Sequence, residues 1–404
     1  MSDPFSFNPL DPETRRCPYP FYARGRREFP LHLHGGLPFR LFSVFGYHDI
    51  QSILRDPQAW SNAFTQVLAP QDLGPLPPPN MLLSDPPQHS RLRSLVNKAF
   101  TPRIVQRLEP RMHEVARELL SAALEAGEVD LVEALAYPLP VVAIAEIIGI
   151  PPEDRERFKA WSDQAVASLG LAFLAGLDPE RVRRQRRLLD EMRSYFVPLA
   201  EERKRRPRED LLTGLVQAEH EGSRLSYEEM LGMLVLLLVA GNETTTNLIG
   251  NAALELLERP ELEQEVRAEP GLVPSLVEEV LRFSSPVQFA PRLCTRSVEL
   301  HGVEIERGNI ALCWIGSANR DEKVFERPDA FDLRRGKSPH LAFGFGAHYC
   351  LGANLARLEA QVAIEALLAR THHFERTDDA PLPLHPSPVF RAVTKLPVRL
   401  APLA

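Results

Sequence analysis

Between Ser226 and Pro260 the chain carries one unbroken helical stretch, which sets the scale of any fold that contains it. Ser226-Tyr227-Glu228-Glu229 reads as a capping box, with Ser226 the N-cap and Glu229 reaching back to it. From there to about Glu258 no proline interrupts. At ~1.5 Å of rise per residue the helix is roughly 50 Å long, enough to cross a whole domain. Its middle, Ala240-Gly241-Asn242-Glu243-Thr244-Thr245-Thr246, is a polar patch in otherwise apolar surroundings. Glycine and consecutive threonines are poor helix-interior residues. Taken alone, the patch reads equally well as an exposed stripe or as a site.

The rest of the chain is mostly helical in pattern. Helical spacing or strong helix formers cover 102–127, 152–168, 178–206, 271–283 and 351–370. Strand-like segments are short: Phe39–Phe45, Val298–Leu300, Ile310–Trp314 and Leu396–Leu400. The expected architecture is mainly α, a large helical body with small β-sheets at its margins. No shift of composition marks a linker, so residues 1–404 are expected to form a single domain. Prolines cluster at 70–79 and 381–388, which read as loops.

Composition excludes several classes. The formal net charge of −7 argues against a nucleic-acid binder, and the arginine runs at 181–187 and 203–208 are interleaved with acids as on a solvated helix face. The longest uncharged apolar run, Met230–Gly241, is too short to span a membrane. The N-terminus has no basic stretch followed by an apolar one, so a cytoplasmic protein is expected. Cys17, Cys294, Cys313 and Cys350 form no C-x-x-C pair, which fits neither a disulfide framework nor a zinc cluster.

The most informative of these cysteines lies in Phe343-Gly344-Phe345-Gly346-Ala347-His348-Tyr349-Cys350-Leu351-Gly352-Ala353-Asn354-Leu355-Ala356-Arg357. A glycine-bearing loop runs straight into a helix whose apolar face is Leu351, Leu355, Leu358 and Val362. Cys350 therefore sits where a helix start would stabilise a thiolate. Gly352 would let the helix approach a flat ligand.

This stretch resembles the haem-binding loop of the cytochrome P-450 superfamily, F-G-x-G-x-H-x-C-x-G-x-x-L-A-R, at every fixed position. The resemblance implies haem b (iron protoporphyrin IX) with Cys350 as its axial thiolate. It further implies Phe343 shielding the sulfur, Gly344 and Gly352 near the cofactor, and His348 on a propionate. The polar patch resembles the family's oxygen-activation motif, which implies Thr244 hydrogen-bonding dioxygen, Glu243 feeding protons through water, and Ala240 beside the cofactor. Asp85-Pro86-Pro87-Gln88-His89-Ser90-Arg91-Leu92-Arg93 resembles the family's D-P-P-x-H-x-x-x-R helix, so His89 and Arg93, with Arg292, are implied propionate ligands. Glu279 and Arg282 match E-x-x-R, and Phe331-Asp332-Leu333-Arg334-Arg335 matches the family meander. That makes Glu279, Arg282 and Arg335 structural. The resemblance spans about residues 40–398; the first 40 match least clearly.

By the same resemblance the substrate pocket draws on Val67, Leu68, Leu237, Ala240, Val287, Gln288, Phe289 and Phe390. These are mostly apolar, with Gln288 the one polar anchor, so a hydrophobic small molecule is expected. Fatty acids, terpenoids, steroids and macrolides all remain open. The implied activity is O₂-dependent monooxygenation by a monomer, with electrons from NAD(P)H through a reductase and a ferredoxin-type donor. The donor would dock near Cys350 at Arg91, Lys98 and Arg357. A peroxide-driven peroxygenase and a non-catalytic haem carrier or sensor are the competing readings.

Overall fold

The computed structural model describes residues 5–35, 40–63, 78–100, 102–169, 179–336 and 338–403. The central helix, Tyr227–Glu258, has the expected capping box: the Glu229 N–H donates to Ser226 Oγ at 3.2 Å and the Ser226 N–H to Glu229 Oε2 at 2.9 Å. It packs against Pro138–Ile148, Arg155–Leu169, Val273–Phe283 and Ala353–Arg370.

Two hydrophobic clusters meet along this helix. Its N-terminal half gives Met230, Met233, Leu234 and Leu238 to one. Its C-terminal half gives Leu248, Ile249, Ala252 and Leu256 to the other. The polar patch falls at the seam between them. The helix Ala353–Arg370 crosses the same seam, with Leu355 in the first cluster and Val362, Ile364 and Leu367 in the second.

The helix over Pro138–Ile148 escapes the sequence pattern because it is buried on nearly every side, so it has no apolar stripe with a helical period. It stops at Gly149, whose φ of +89° is the left-handed cap that glycine adopts freely. Further helices appear at Tyr19–Glu28, Tyr47–Arg55 and Pro260–Ala268.

A five-stranded sheet runs in the order Leu31–His34, Leu41–Val44, Ile310–Trp314, Phe289–Cys294, Trp60–Ser61. Ile310–Trp314 pairs parallel with Leu41–Val44 and antiparallel with Phe289–Cys294, which sets Arg292 opposite Ala311. The strand carrying Arg292 was not expected, since its largely buried residues show no alternation. A second sheet joins Thr371–Arg376, Pro397–Pro402 and Glu128–Asp130. The N-terminal segment is tied down by aromatic packing of Phe5, Phe7 and Tyr22 with Phe45 and Trp314. One described helix is long and apolar enough to cross a membrane, Tyr227–Glu258, and 61% of its most apolar window is buried inside the protein.

Candidate active site

The loop before Cys350 needs its two glycines. Gly344 and Gly346 have φ of +71° and +72°, and a Cβ on Gly346 would lie 2.8 Å from the Leu54 carbonyl. The loop returns on itself so that the Cys350 N–H donates to the Phe343 carbonyl at 2.9 Å. The helix begins only at Ala353, so Cys350 stands two residues before the N-cap, Gly352. A Cβ on Gly352 would meet nothing within 4 Å, which leaves open space beside the cysteine. Burial pushes the Cys350 thiol up, against the opposing pull of the Gly352 N–H, Arg93 and Arg357. Arg357 lies over the Phe343 ring at 4.5 Å and, with His340, bonds Glu278.

Four basic side chains converge next to this cysteine. His89 and Arg93 project from the helix Gln88–Ala99, and the His89 and His348 rings are 4.2 Å apart. Both ring nitrogens of His89 and Nε2 of His348 are buried without a hydrogen-bond partner. The Arg292 guanidinium, in a residue only 6% exposed, donates at 2.8 Å to the adjacent Pro291 carbonyl. Burial, followed by the positive fields of His89, Arg292 and Arg93, drives the His348 imidazole down to about 3. His89 is lowered by burial and by Arg93. Buried donors without acceptors cost free energy unless an anion completes them. The set fits the two carboxylates of a flat cofactor lying over Cys350.

Across the seam, the central helix opens in its middle. Ala240 is exposed, and Leu236, Leu237, Gly241, Glu243 and Thr244 are half-buried, between fully buried turns on either side. Thr244 Oγ1 donates to the Ala240 carbonyl at 2.7 Å. Glu243 Oε1 lies 3.1 Å from His385 Nε2. Thr245 turns away and meets the buried Glu359, whose carboxyl is raised by burial to about 8 despite that hydrogen bond. Neither His385 nor Glu359 was singled out from the sequence. For Glu359 a signal existed: it sits four residues after Leu355 and three before Val362, on the apolar face. For His385, in a proline-rich loop, there was none.

Glu279, Arg282 and Arg335 meet in one buried knot. Arg282 donates to Glu279 at 2.8 and 2.6 Å, and Arg335 Nε to the same carboxylate at 3.1 Å. Of the pocket candidates, Leu237, Ala240, Val287 and Phe390 border partly open space, and Val287 and Phe390 pair as an isolated β-bridge. Val67 and Leu68 lie outside the described residues. Two expectations are corrected. Gln288 cannot serve as the polar anchor, because its amide accepts from Tyr22 Oη at 3.0 Å and donates to the Ser285 carbonyl at 2.7 Å. Phe289 is buried against Trp314, in the cluster with Phe7 and Tyr22. Among the docking cations, Arg91 is paired with Glu229 and Arg357 is half-buried on Glu278, which leaves Lys98 the most exposed of the three.

The family model for cytochrome P450 matches residues 36–399. The chain belongs to the cytochrome P450 family. It is 42% identical to "Cytochrome P450 109" of Bacillus spizizenii, over 96% of this chain and 93% of that one. The crystal structure of CYP109Q5 from Chondromyces apiculatus superposes with a TM-score of 0.89 at 38% identity, covering 98% of both chains. That of CYP109E1 from Bacillus megaterium in complex with corticosterone gives 0.86 at 35%, covering 96% of this chain and 99% of the other. As a cytochrome P450 the protein is a haem-thiolate monooxygenase, with protoporphyrin IX held by an axial cysteine and a hydrophobic organic substrate. Members of its family typically need redox partners.

Proposed function

We propose that residues 1–404 work as one haem-binding unit in which Cys350 is the axial thiolate and His89, Arg93, Arg292 and His348 hold the propionates. The observation that carries this reading is the group of buried ring nitrogens without hydrogen-bond partners, gathered with two arginines beside Cys350. When bound, the haem supplies the reduction of dioxygen and the insertion of one oxygen atom. The chain supplies geometry and protons. Phe343, held under the Arg357 cation, would shield the cysteine, and the exposed Ala240 would leave room for the cofactor. Thr244 presents a hydroxyl whose own proton is held by the Ala240 carbonyl, so its oxygen is oriented to accept from a donor in the opening. Glu243, one residue away at the edge of that opening, is the proton source. Leu237, Val287 and Phe390 form apolar wall that favours a hydrophobic substrate and excludes bulk water.

The electron donor we assign is a ferredoxin-type protein reduced by an NAD(P)H-dependent reductase, docking on the Cys350 side at Lys98. We place the enzyme in the cytoplasm as a monomer, a compartment that suits its four unpaired cysteines. Steroids head the candidate substrates, since a relative of similar fold binds corticosterone; fatty acids, terpenoids and macrolides complete the panel.

The test is a Thr244→Ala and Thr245→Ala pair, assayed with donor proteins and the panel compound that most shifts the Soret band. Thr244→Ala is expected to keep consuming NAD(P)H while product falls and hydrogen peroxide rises. Thr245→Ala, turned about 100° away on the helix, does so much less. Equal product per NAD(P)H in wild type and Thr244→Ala refutes the assignment. Cys350→Ser is expected to lose the red-shifted Soret band of the reduced CO complex, and a retained band rules Cys350 out as ligand.

A further inference from the structure

Glu243 does not stand free in the opening. His385 Nε2 lies 3.1 Å from its Oε1. His385 Nδ1 accepts from the Ser387 N–H at 3.1 Å, so the ring hydrogen is on Nε2 and points at the carboxylate. The backbone of His385 is pinned in turn: its N–H donates to the Ala392 carbonyl at 2.9 Å, and its carbonyl takes the Arg15 guanidinium. The imidazole also meets the Phe390 ring edge-on, with centroids 5.0 Å apart, and Phe390 is bridged to Val287. His385 also borders a cavity of about 30 Å³ shared with Thr14, Tyr22 and Arg391, room for one or two waters. Among the described residues, Tyr137 is a further titratable group that feels the Glu243 charge.

We propose that His385 is a positioning residue for proton delivery: its Nε2–H selects the Glu243 rotamer, and its contact with Phe390 ties that rotamer to the wall of the substrate pocket. A glutamate has three rotatable bonds, and ordering them costs free energy that a charge-assisted hydrogen bond from a doubly anchored ring can supply. Proton transfer needs its donor within hydrogen-bond reach, so a wandering carboxylate transfers less often. The inference rests on the reading of Glu243 as the proton source, and its test separates the two.

His385→Ala, His385→Gln, Glu243→Gln and the double variant His385→Ala/Glu243→Gln are prepared as haem-bound full chains. They are assayed with corticosterone, or with the panel compound of largest Soret shift if corticosterone gives none. Expected for His385→Ala is a several-fold loss of product per NAD(P)H with a larger solvent isotope effect. His385→Gln, which keeps an N–H donor, restores most of the coupling. The double variant is no worse than Glu243→Gln. Independently of turnover, the two single variants lower Tm non-additively, because each breaks the same contact. Unchanged coupling in His385→Ala beside a defective Glu243→Gln overturns the role of His385 and leaves Glu243 standing. Unchanged coupling in Glu243→Gln overturns the proton-source reading itself. Additive Tm losses, or no rescue by His385→Gln, also count against the pair.

Discussion

Two clusters of buried charge in this protein are built on opposite principles. At the centre of the knot, every N–H of the Arg282 guanidinium has an acceptor. The guanidinium has five N–H groups, and the bonds run twice to Glu279 and once each to the carbonyls of Asn319, Pro328 and Ala330. Glu279 is completed by the Asp332 N–H and by Arg335, which also bonds the Glu326, Arg327 and Ala330 carbonyls. In the cluster of His89, Arg93, Arg292 and His348, four basic groups crowd together with no ion pair among the described residues, the nearby Asp85 being bonded to Ser61 and the Asn62 N–H, and several ring nitrogens lack partners. The first cluster is finished by the chain alone and staples the helix Val273–Phe283 to the loop after Ala318. The second is finished only by a ligand that brings negative charge. A complete buried network marks structure; an incomplete one of a single sign marks a binding site.

The largest effect is expected where the complete network is broken. Arg282→Ala removes two of the bonds to the buried Glu279 carboxylate, leaves Arg335 as its remaining cation, and strands the Asn319 and Pro328 carbonyls, a cost of about 3–5 kcal/mol. Set against a typical total of about 5–15 kcal/mol, this is expected to remove most folded, haem-bearing protein. Arg282→Lys does little better, with three donors in place of five. Soluble yield and Tm measure it, and a variant melting with wild type would dissolve the contrast. An intermediate effect is expected in the incomplete cluster. Arg292→Ala or His348→Ala each removes one charge-assisted bond to the cofactor, about 1.5–3 kcal/mol, hence roughly 10- to 150-fold faster haem loss. Helical content by circular dichroism should hold, since no internal acid is left unpaired. Haem transfer to an acceptor protein reads the rate; an unfolded variant would mean that this cluster too is structural.

The smallest effect sharpens the comparison at a third buried group. Burial raises the Glu359 carboxyl from 4.5 to about 8, so the folded protein holds it as a neutral acid. A carboxyl raised on folding binds its proton more tightly in the folded state, so its contribution is fully present below the unfolded value of 4.5. That contribution is lost as pH rises through about 8. Glu359→Gln imitates the neutral acid and is expected to change Tm little below about pH 5, and to lessen the decline between about pH 5 and 8. Parallel Tm–pH curves for the two proteins would show that Glu359 is ionised in the fold.

Much of the site was legible in sequence because local geometry and covalent spacing carry it. The capping box placed the start of the central helix, the loop glycines announced their positive φ, and the i, i+4 pair His89–Arg93 put two bases on one face. Gln88–Ala99, Tyr227–Glu258 and Ala353–Arg370 formed where short-range chemistry put them. Tertiary structure decided what depends on contacts between distant segments. It turned Gln288 and Phe289 toward Tyr22 and Trp314, because the N-terminal segment, weakly patterned as sequence, folds over the sheet. It buried Pro138–Ile148 on nearly all sides, which erased the periodicity a sequence reader needs. It also brought His385 to Glu243, 142 positions apart in the chain, since a hydrogen bond is set by distance in space and leaves no spacing rule in the sequence.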